Sequence, residues 1–324
     1  MHKLGILGCS EIAFNRFMPA AIKVDGLRVV CVAEEYDARK LKPFCEKFDL
    51  EVECDFESIL AREDIDCVYI PQPPALHYKW AMRALQCGKH VLVEKPSTTR
   101  LADTKSLLEA AAARGLVLHE NYMFQYHAQI GAIRNLIESG EIGEVRMYRL
   151  SFGFPKRNDN DFRYNKTLGG GALLDAGGYT LRLASILLGD SVHVDAACMC
   201  SLEGYEVDMF GGAMLSNDDG LIAQIGFGMD CAYQCRLEVW GSRATLVADR
   251  VFTAPEEFAP VLHIYSNNGI DERQLKADSH FQHSIESFLE EITNNAAREK
   301  MYRQIKMQAR LVEEVRNKAY EHNL

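Results

Sequence analysis

The C-x-x-C spacing is missing from this chain, although it carries ten cysteines. Its ten histidines are scattered as well, so the usual zinc-ligand spacings do not occur and no metal site is expected. No apolar run approaches the roughly 20 residues needed to span a bilayer, so no membrane partner is expected. Positive charge is in short supply: 36 Lys and Arg stand against 46 Asp and Glu, a net charge of −10. A nucleic-acid partner wants a basic face and is not expected either. Met1-His2-Lys3 leads straight into an apolar run with no small-residue cleavage site, so no signal peptide is expected. The thiols are therefore read as reduced, in a cytoplasm. Several of them fill strand positions as small hydrophobes, such as Cys31 in "RVVCVA" and Cys67 in "DCVYI". There are no repeats, no low-complexity tracts and no long linker.

What is present is 324 residues, 48% apolar and 25% charged, enough for two globular domains. The first 120 or so residues alternate short apolar runs with helical patterns. Strands are expected at "KLGILGC", "LRVVCVA", "VEC", "DCVYI", "HVLVE" and "LVLHE". A helical stretch is expected from Glu11, restarting at Pro19, and other helices close on Gly88 and Gly115. Continuous apolar strands alternating with helices predict a parallel sheet covered on both faces. Near Tyr122 the alternation stops. From Val192 to about Tyr265, runs rich in Val, Ile, Phe and Tyr are punctuated by hairpin-like turns such as "SNDDG" and "WGSRA", which predicts a large, mostly antiparallel sheet. Two helices end the chain; in the first, Phe281, Ile285, Phe288 and Ile292 keep amphipathic spacing. The expected fold is α/β, with a dinucleotide-binding domain at 1–121 and a second α/β domain at 122–324.

Four places carry chemistry. Gly8-Cys9-Ser10-Glu11-Ile12-Ala13 follows the first strand and fits G-x-S-x-x-A, a degraded dinucleotide fingerprint. Gly8 allows the tight turn, and Ala13 keeps helix and strand close. Glu34 and Glu35 close the second strand, where an acid usually holds the adenosine ribose. "HVLVE" ends in Glu94-Lys95-Pro96, and carboxyl ends of parallel strands face the ligand crevice. Finally "LGGGALLDAGGYTLRL" places Asp175 and Tyr179 four residues apart, on one helical face. Each has a plainer alternative: a structural glycine turn, solvated strand-end charges, a phosphate-anchoring lysine, a packed tyrosine.

Glu94-Lys95-Pro96 and Asp175-Ala176-Gly177-Gly178-Tyr179 match the E-K-P and D-x-G-x-H patterns of a known family. With the glycine turn, "PQPPALHYKWAMRALQCGKHVLVEKP" and "ESGEIGEVRMY", the chain resembles the glucose–fructose oxidoreductase, inositol dehydrogenase and rhizopine-catabolism family of NAD(P)-dependent oxidoreductases. The resemblance runs from about residue 3 to 190 and more loosely to the end. It implies a Rossmann domain followed by an α/β domain whose open sheet often serves oligomer contact, here a homodimer or homotetramer. It implies Lys95, Asp175 and Tyr179 at a reacting carbinol or carbonyl, facing each other across a cleft beside the nicotinamide. Cofactor contacts are implied at Gly8, Ser10, Glu11, Ile12, Ala13, Glu34, Glu35, Pro71, Gln72, Pro73, His77, Glu94, Lys95 and Arg163.

Two departures matter. Position 179 holds Tyr where the family commonly has His. A phenol is protonated at pH 7 and suits donation to an alkoxide, so reduction of a ketone is favoured. The stretches "PPALH", "ENYMFQYHAQI", "LSFGFP" and "DFRYNKTLGGGALLDAGGYTLR" resemble the nucleotide-sugar 3-ketoreductase branch, in which Lys156, Arg157, Arg163 and Lys166 would offer cations to a diphosphate. That branch often carries Ser-Arg after the second strand; this chain has Glu34 and Glu35, which favours NAD(H) over the alternative NADP(H). The expected substrate is a sugar or nucleotide sugar. The alternatives are a dehydrogenase of free sugars, polyols or trans-dihydrodiols, and a non-catalytic NAD-sensing regulator.

Overall fold

The computed structural model describes residues 1–323. The chain divides into two compact units, Met1–Tyr122 with Phe281–Lys306, and Met123–His280 with Met307–Leu324.

The first unit is built on a six-stranded sheet: β1 (His2–Leu7), β2 (Leu27–Ala33), β3 (Glu51–Val52), β4 (Cys67–Ile70), β5 (His90–Glu94) and β6 (Leu118–Asn121). Their spatial order is β3-β2-β1-β4-β5-β6, and every pairing is parallel. The order reverses between β1 and β4, the switch point at which such sheets bind ligands beyond their carboxyl ends. β4 is buried at all four positions, as expected for a strand covered on both faces. Helices α1 (Met18–Ala21), α2 (Leu41–Phe48), α3 (Phe56–Ala61), α4 (Pro74–Gln86) and α5 (Leu101–Arg114) fill the crossovers. Pro74 opens α4 at its first position, where its missing N–H costs nothing. Gly115 closes α5 in the left-handed region.

The helix after the glycine turn changes its winding where a restart was expected: α1 begins at Met18, with Pro19 in its first turn. Residues 11–21 are continuously helical, with a wide π-turn at Ala13–Phe17 running into α1. Pro19 cannot donate to the preceding turn, and a π-turn is one way a helix absorbs such a lost bond.

The second unit holds α6 (Ala128–Glu138), α7 (Gly178–Leu188) and a nine-stranded sheet. Its strands are β7 (Val145–Gly153), β8 (His193–Ser201), β9 (Phe210–Ser216), β10 (Ile222–Gly228), β11 (Gln234–Gly241), β12 (Ala244–Asp249), β13 (Val261–Ser266), β14 (Gly269–Gln274) and β15 (Ala319–Asn323). The order is β14-β13-β12-β11-β7-β10-β9-β8-β15. Two pairings, β7 with β10 and β8 with β15, are parallel, and the rest are antiparallel. α7 packs over β7 and β10. Tyr148, Leu150 and Phe152 of β7 are buried, while Met147, Arg149 and Ser151 on its other face are half-exposed. That alternation is the mark of a sheet covered on one side.

Between β14 and β15 lie α8 (His280–Thr293) and α9 (Asn295–Lys318). A single cut after residue 121 does not describe this chain, because Phe281–Lys306 belongs to the first unit. The expected amphipathic stripe supplies the reason: Phe281, Ile285 and Phe288 are buried. Among the described residues no helix is long and apolar enough to cross a membrane, and no group of three or more His, Cys, Asp or Glu is disposed to hold a metal ion.

Candidate active site

In the first unit, the expected cofactor residues gather at the carboxyl ends of β1, β2, β4 and β5. Gly8 turns the chain at φ +118°, a conformation side chains rarely adopt. A Cβ there would also lie 1.7 Å from Gln72 Nε2, so both backbone and space demand glycine. Gln72 Nε2 donates to the Leu7 carbonyl at 2.6 Å and so ties the end of β4 to the end of β1. Ser10 Oγ accepts from the Ala13 N–H at 3.1 Å, capping the helix that Glu11 and Ile12 begin. Pro71 and Gln72 are buried, Pro73 half-buried, and Glu11 exposed.

Glu34 and Glu35, read alike from the sequence, part company. Glu34 Oε2 accepts from the Cys9 N–H at 2.7 Å, and Oε1 from Tyr36 N–H at 2.8 Å and Asp37 N–H at 3.2 Å. Its carboxylate is thus pinned at the glycine turn. Glu35 turns away to accept from the Phe56 N–H at the start of α3, at 2.9 Å. Its charge serves that helix N-terminus.

His77 is 0% exposed. Its Nδ1 lies 2.7 Å from the Pro96 carbonyl and its Nε2 2.6 Å from the Gln72 carbonyl. Both nitrogens meet backbone, so the ring braces β4 against the Lys95-Pro96 bend. Burial drives its pKa down to about 4, although both carbonyls favour the charged form. Burial wins: the neutral ring carries its hydrogen on one nitrogen and donates to one of the two carbonyls. Glu94 is 6% exposed. Burial raises its pKa, against the hydrogen bonds from Tyr69 and Asn121 and the nearby Lys95 charge. Lys95, half-buried, follows at the end of β5 and precedes a cis Pro96.

In the second unit, the three-glycine run sets up Asp175 and Tyr179. Gly171 has φ +118°, and a Cβ there would lie 2.4 Å from Asp208 Oδ1. Asp208 Oδ2 accepts from the Leu173 N–H at 2.6 Å, which caps the helical turn that follows. Asp175 does not sit in a regular α-helix as expected. It lies in a π-turn, Leu173–Gly177, that leads into α7; such turns recur at functional sites. Arg163 Nε donates to Asp175 Oδ2 at 2.6 Å, and its Nη1 to Asp161 Oδ1 at 3.1 Å. Burial works against the guanidinium's charge, and the two carboxylates more than restore it, so its pKa is raised. Arg163 is therefore no spare cation; it clamps Asp175. Of the other loop cations, Lys156 pairs with Asp159 at 2.7 Å, while Arg157 and Lys166 are exposed.

Tyr179 is 5% exposed. Its ring lies 5.0 Å from Phe152, 5.8 Å from Phe124 and 6.0 Å from Phe252, centre to centre. Gln308 Nε2 donates to the Gly178 carbonyl at 2.8 Å, anchoring the turn that carries it. A phenol in such surroundings is held rigidly. Sequence reading missed the Arg163–Asp175 clamp, for which the basic-acidic run "NDNDFRY" was the one available signal. It also missed Asn121, His119, Ser284 and Glu291, for which there was none.

The residues fit a nicotinamide dinucleotide in the first unit. The glycine turn offers close backbone approach, and a pinned carboxylate stands at the end of β2. The comparisons agree. Residues 2–122 match the model of the oxidoreductase family with an NAD-binding Rossmann fold, and residues 130–247 match that family's C-terminal domain. The chain belongs to the GFO/IDH/MocA family of NAD(P)-dependent oxidoreductases. It is similar to the dTDP-3,4-didehydro-2,6-dideoxy-alpha-D-glucose 3-reductase of Saccharopolyspora spinosa, at 39% identity over 90% of this chain and 87% of that one. It is also similar to the enzyme of that name from Actinomadura kijaniata, at 36% identity over 98% and 95%. A crystal structure of a 3-ketoreductase from Actinomadura kijaniata in complex with NADP and TDP-benzene matches with a TM-score of 0.96 and 35% identity, covering 100% of this chain and 99% of that one.

Proposed function

We propose that this oxidoreductase reduces the 3-keto group of a dTDP-linked deoxysugar, with Lys95 and Tyr179 as its acid/base groups. The observation that carries the reading is Tyr179: a phenol fixed among three phenylalanine rings, at the start of the helix that follows the turn holding Asp175. It stands in a chain similar over 98% of its length to a dTDP-sugar 3-reductase. A bound nicotinamide cofactor supplies the hydride. The residues handle what hydride arrival at a carbonyl leaves behind, an alkoxide that needs a proton and a cationic neighbour. Tyr179 donates the proton from its hydroxyl to the alkoxide, the Lys95 ammonium stabilises the negative charge, and the tyrosine phenolate regains its proton from solvent. Asp175, neutralised by Arg163, does not act as the base. Arg157 and Lys166 meet the nucleotide's diphosphate, arginine through its planar fork.

NAD(H) is the preferred cofactor. Glu34 is held in place by three N–H donors at the end of β2, and a 2′-phosphate brought to about 4 Å from a carboxylate there would cost on the order of 4 kcal/mol at an effective dielectric of 20. The half-exposed face of the nine-stranded sheet supports a homodimer or homotetramer, and ten unpaired cysteines support a cytoplasmic setting. The test is inhibition of NADH oxidation by dTDP, CDP, UDP and GDP. dTDP competes with the sugar substrate at sub-millimolar levels, less well as salt rises. If none competes, and free inositol or a simple hexose is a good substrate, the polyol dehydrogenase reading replaces this one.

A further inference from the structure

Beside Lys95, the Glu94 carboxylate ends a chain of buried polar side chains within the first unit. Tyr69 Oη and Asn121 Nδ2 both donate to Glu94 Oε1, each at 2.6 Å. Ser284 Oγ, on α8, donates to Asn121 Oδ1 at 2.8 Å. His119 Nε2 lies 3.1 Å from Ser284 Oγ, and His119 Nδ1 lies 2.9 and 3.1 Å from the two oxygens of Glu291, also on α8. Ser287 Oγ donates to Glu291 Oε1 at 3.3 Å. Asn121, Ser284, His119 and Glu291 are each 2% exposed or less.

The hydrogens in this chain run one way. Glu94 Oε1 already takes the Tyr69 hydroxyl, so Asn121 must turn its NH₂ toward it; the flipped amide would set oxygen against oxygen at 2.6 Å. The Asn121 carbonyl then faces Ser284 and takes its only hydrogen. Ser284 has a lone pair left for His119 Nε2, which must therefore carry a hydrogen. Nδ1 faces the Glu291 carboxyl, which ends the relay. A buried polar network of this kind is tolerable only when every member is satisfied.

We propose that Asn121, Ser284, His119 and Glu291 are positioning residues. They form a directional hydrogen-bond relay, delivered by a helix from the far end of the sequence, that fixes the Glu94 carboxylate and with it the strand end bearing Lys95. The proposal rests on the reading of Lys95 as catalytic. Its logic is that Glu94 and Lys95 are consecutive, so a Glu94 side chain locked in place holds the backbone that carries Lys95. Loss of the Ser284 hydroxyl releases Asn121 to flip, and a flipped amide repels Glu94.

The experiment compares S284A, which lacks the hydroxyl, with S284T, which keeps it, and with E291Q, which keeps the shape of Glu291 but not its charge. K95A is measured alongside. S284A and E291Q each lower kcat roughly tenfold, the scale of one lost buried hydrogen bond to a charged group, with both KM values within about twofold of wild type; S284T restores at least half the rate. A folded S284A with wild-type kcat beside an inactive K95A overturns the relay alone. Equal loss in S284A and S284T, with E291Q fully active, reduces these residues to packing and overturns it too. If S284T fails to fold, E291Q decides: wild-type kcat overturns the relay, and a tenfold loss at unchanged KM upholds it. A fully active K95A overturns the reading of Lys95 and the relay with it.

Discussion

Each unit holds a carboxylate close in sequence to a proposed acid/base residue, and the two units treat them in opposite ways. Asp175, in the second unit, is neutralised by the Arg163 guanidinium at 2.6 Å. Glu94, in the first, is met on Oε1 by uncharged donors, a phenol and an amide, and burial raises its pKa. A cation fixes charge as well as position. Neutral donors fix position and leave the charge open to what lies beside it, here Lys95. One acid is thus paired with a cation, and the other is held by neutral donors beside Lys95.

The lysine itself gives the largest expected effect. Lys95→Ala lowers kcat by on the order of a hundred-fold or more and leaves cofactor affinity, read by NADH fluorescence titration, within a few-fold. A variant that keeps a tenth of the wild-type rate removes Lys95 from the chemistry. Tyr179→Phe deletes one hydroxyl among three phenylalanines; its kcat falls roughly 10²-fold at a nearly unchanged melting temperature. A loss of stability with normal turnover would make it a packing residue.

The clamp on Asp175 comes next. Arg163→Met strands a largely buried carboxylate, which costs about 3 kcal/mol of stability and lowers kcat. Arg163→Lys keeps the charge but not the fork and recovers part of both. If Arg163→Met were as stable and active as wild type, the guanidinium would not be what holds Asp175. A smaller effect is expected at Glu34: Glu34→Ser raises the NADPH:NADH ratio of kcat/KM several-fold, the scale set by one like-charge contact after screening.

How much of this was legible beforehand differs between the units for physical reasons. In the first, strands buried on both faces read as continuous apolar runs, and the glycine turn, the acids after β2 and Glu94-Lys95-Pro96 sit at strand ends, where position in sequence fixes position in the fold. The α8 segment escaped. Its apolar stripe was plain, but an amphipathic pattern says that a face is buried and not against what, so Ser284 and Glu291 could not be linked to Asn121 and His119. In the second unit the loop before the glycine run carries its meaning in side-chain pairing. "PKRNDNDFRYNK" reads as a mixed-charge loop, and nothing in it tells that Arg163 is spent on Asp161 and Asp175 while Arg157 is left exposed. Glu34 and Glu35 show the same limit: adjacent acids on a strand end point in different directions, and only coordinates separate the one at the glycine turn from the one capping α3.

The smallest expected effect concerns acid. His90 Nδ1 accepts from the Val117 N–H at 3.0 Å, and burial lowers its pKa to about 4; His77 falls to about 4 by burial as well. Between pH 6.5 and 4 the unfolded chain therefore binds protons that the folded chain refuses, so stability falls as pH drops through that window and is full above it. Melting temperature followed from pH 7 to pH 4 declines, and His90→Gln declines less steeply. An identical slope would mean that His90 titrates normally.

The central claim is hydride delivery to the C3 carbonyl of a nucleotide-linked sugar. It is tested most directly by turning over a dTDP-3-keto sugar with NADH carrying deuterium at the transferable nicotinamide position, and locating the label in the product by NMR and mass spectrometry. The account predicts one deuterium, at C3 of the sugar, in wild type, and almost no labelled product in Tyr179→Phe over the same time. A label at another carbon, or none in the sugar while NADH is consumed, would contradict it.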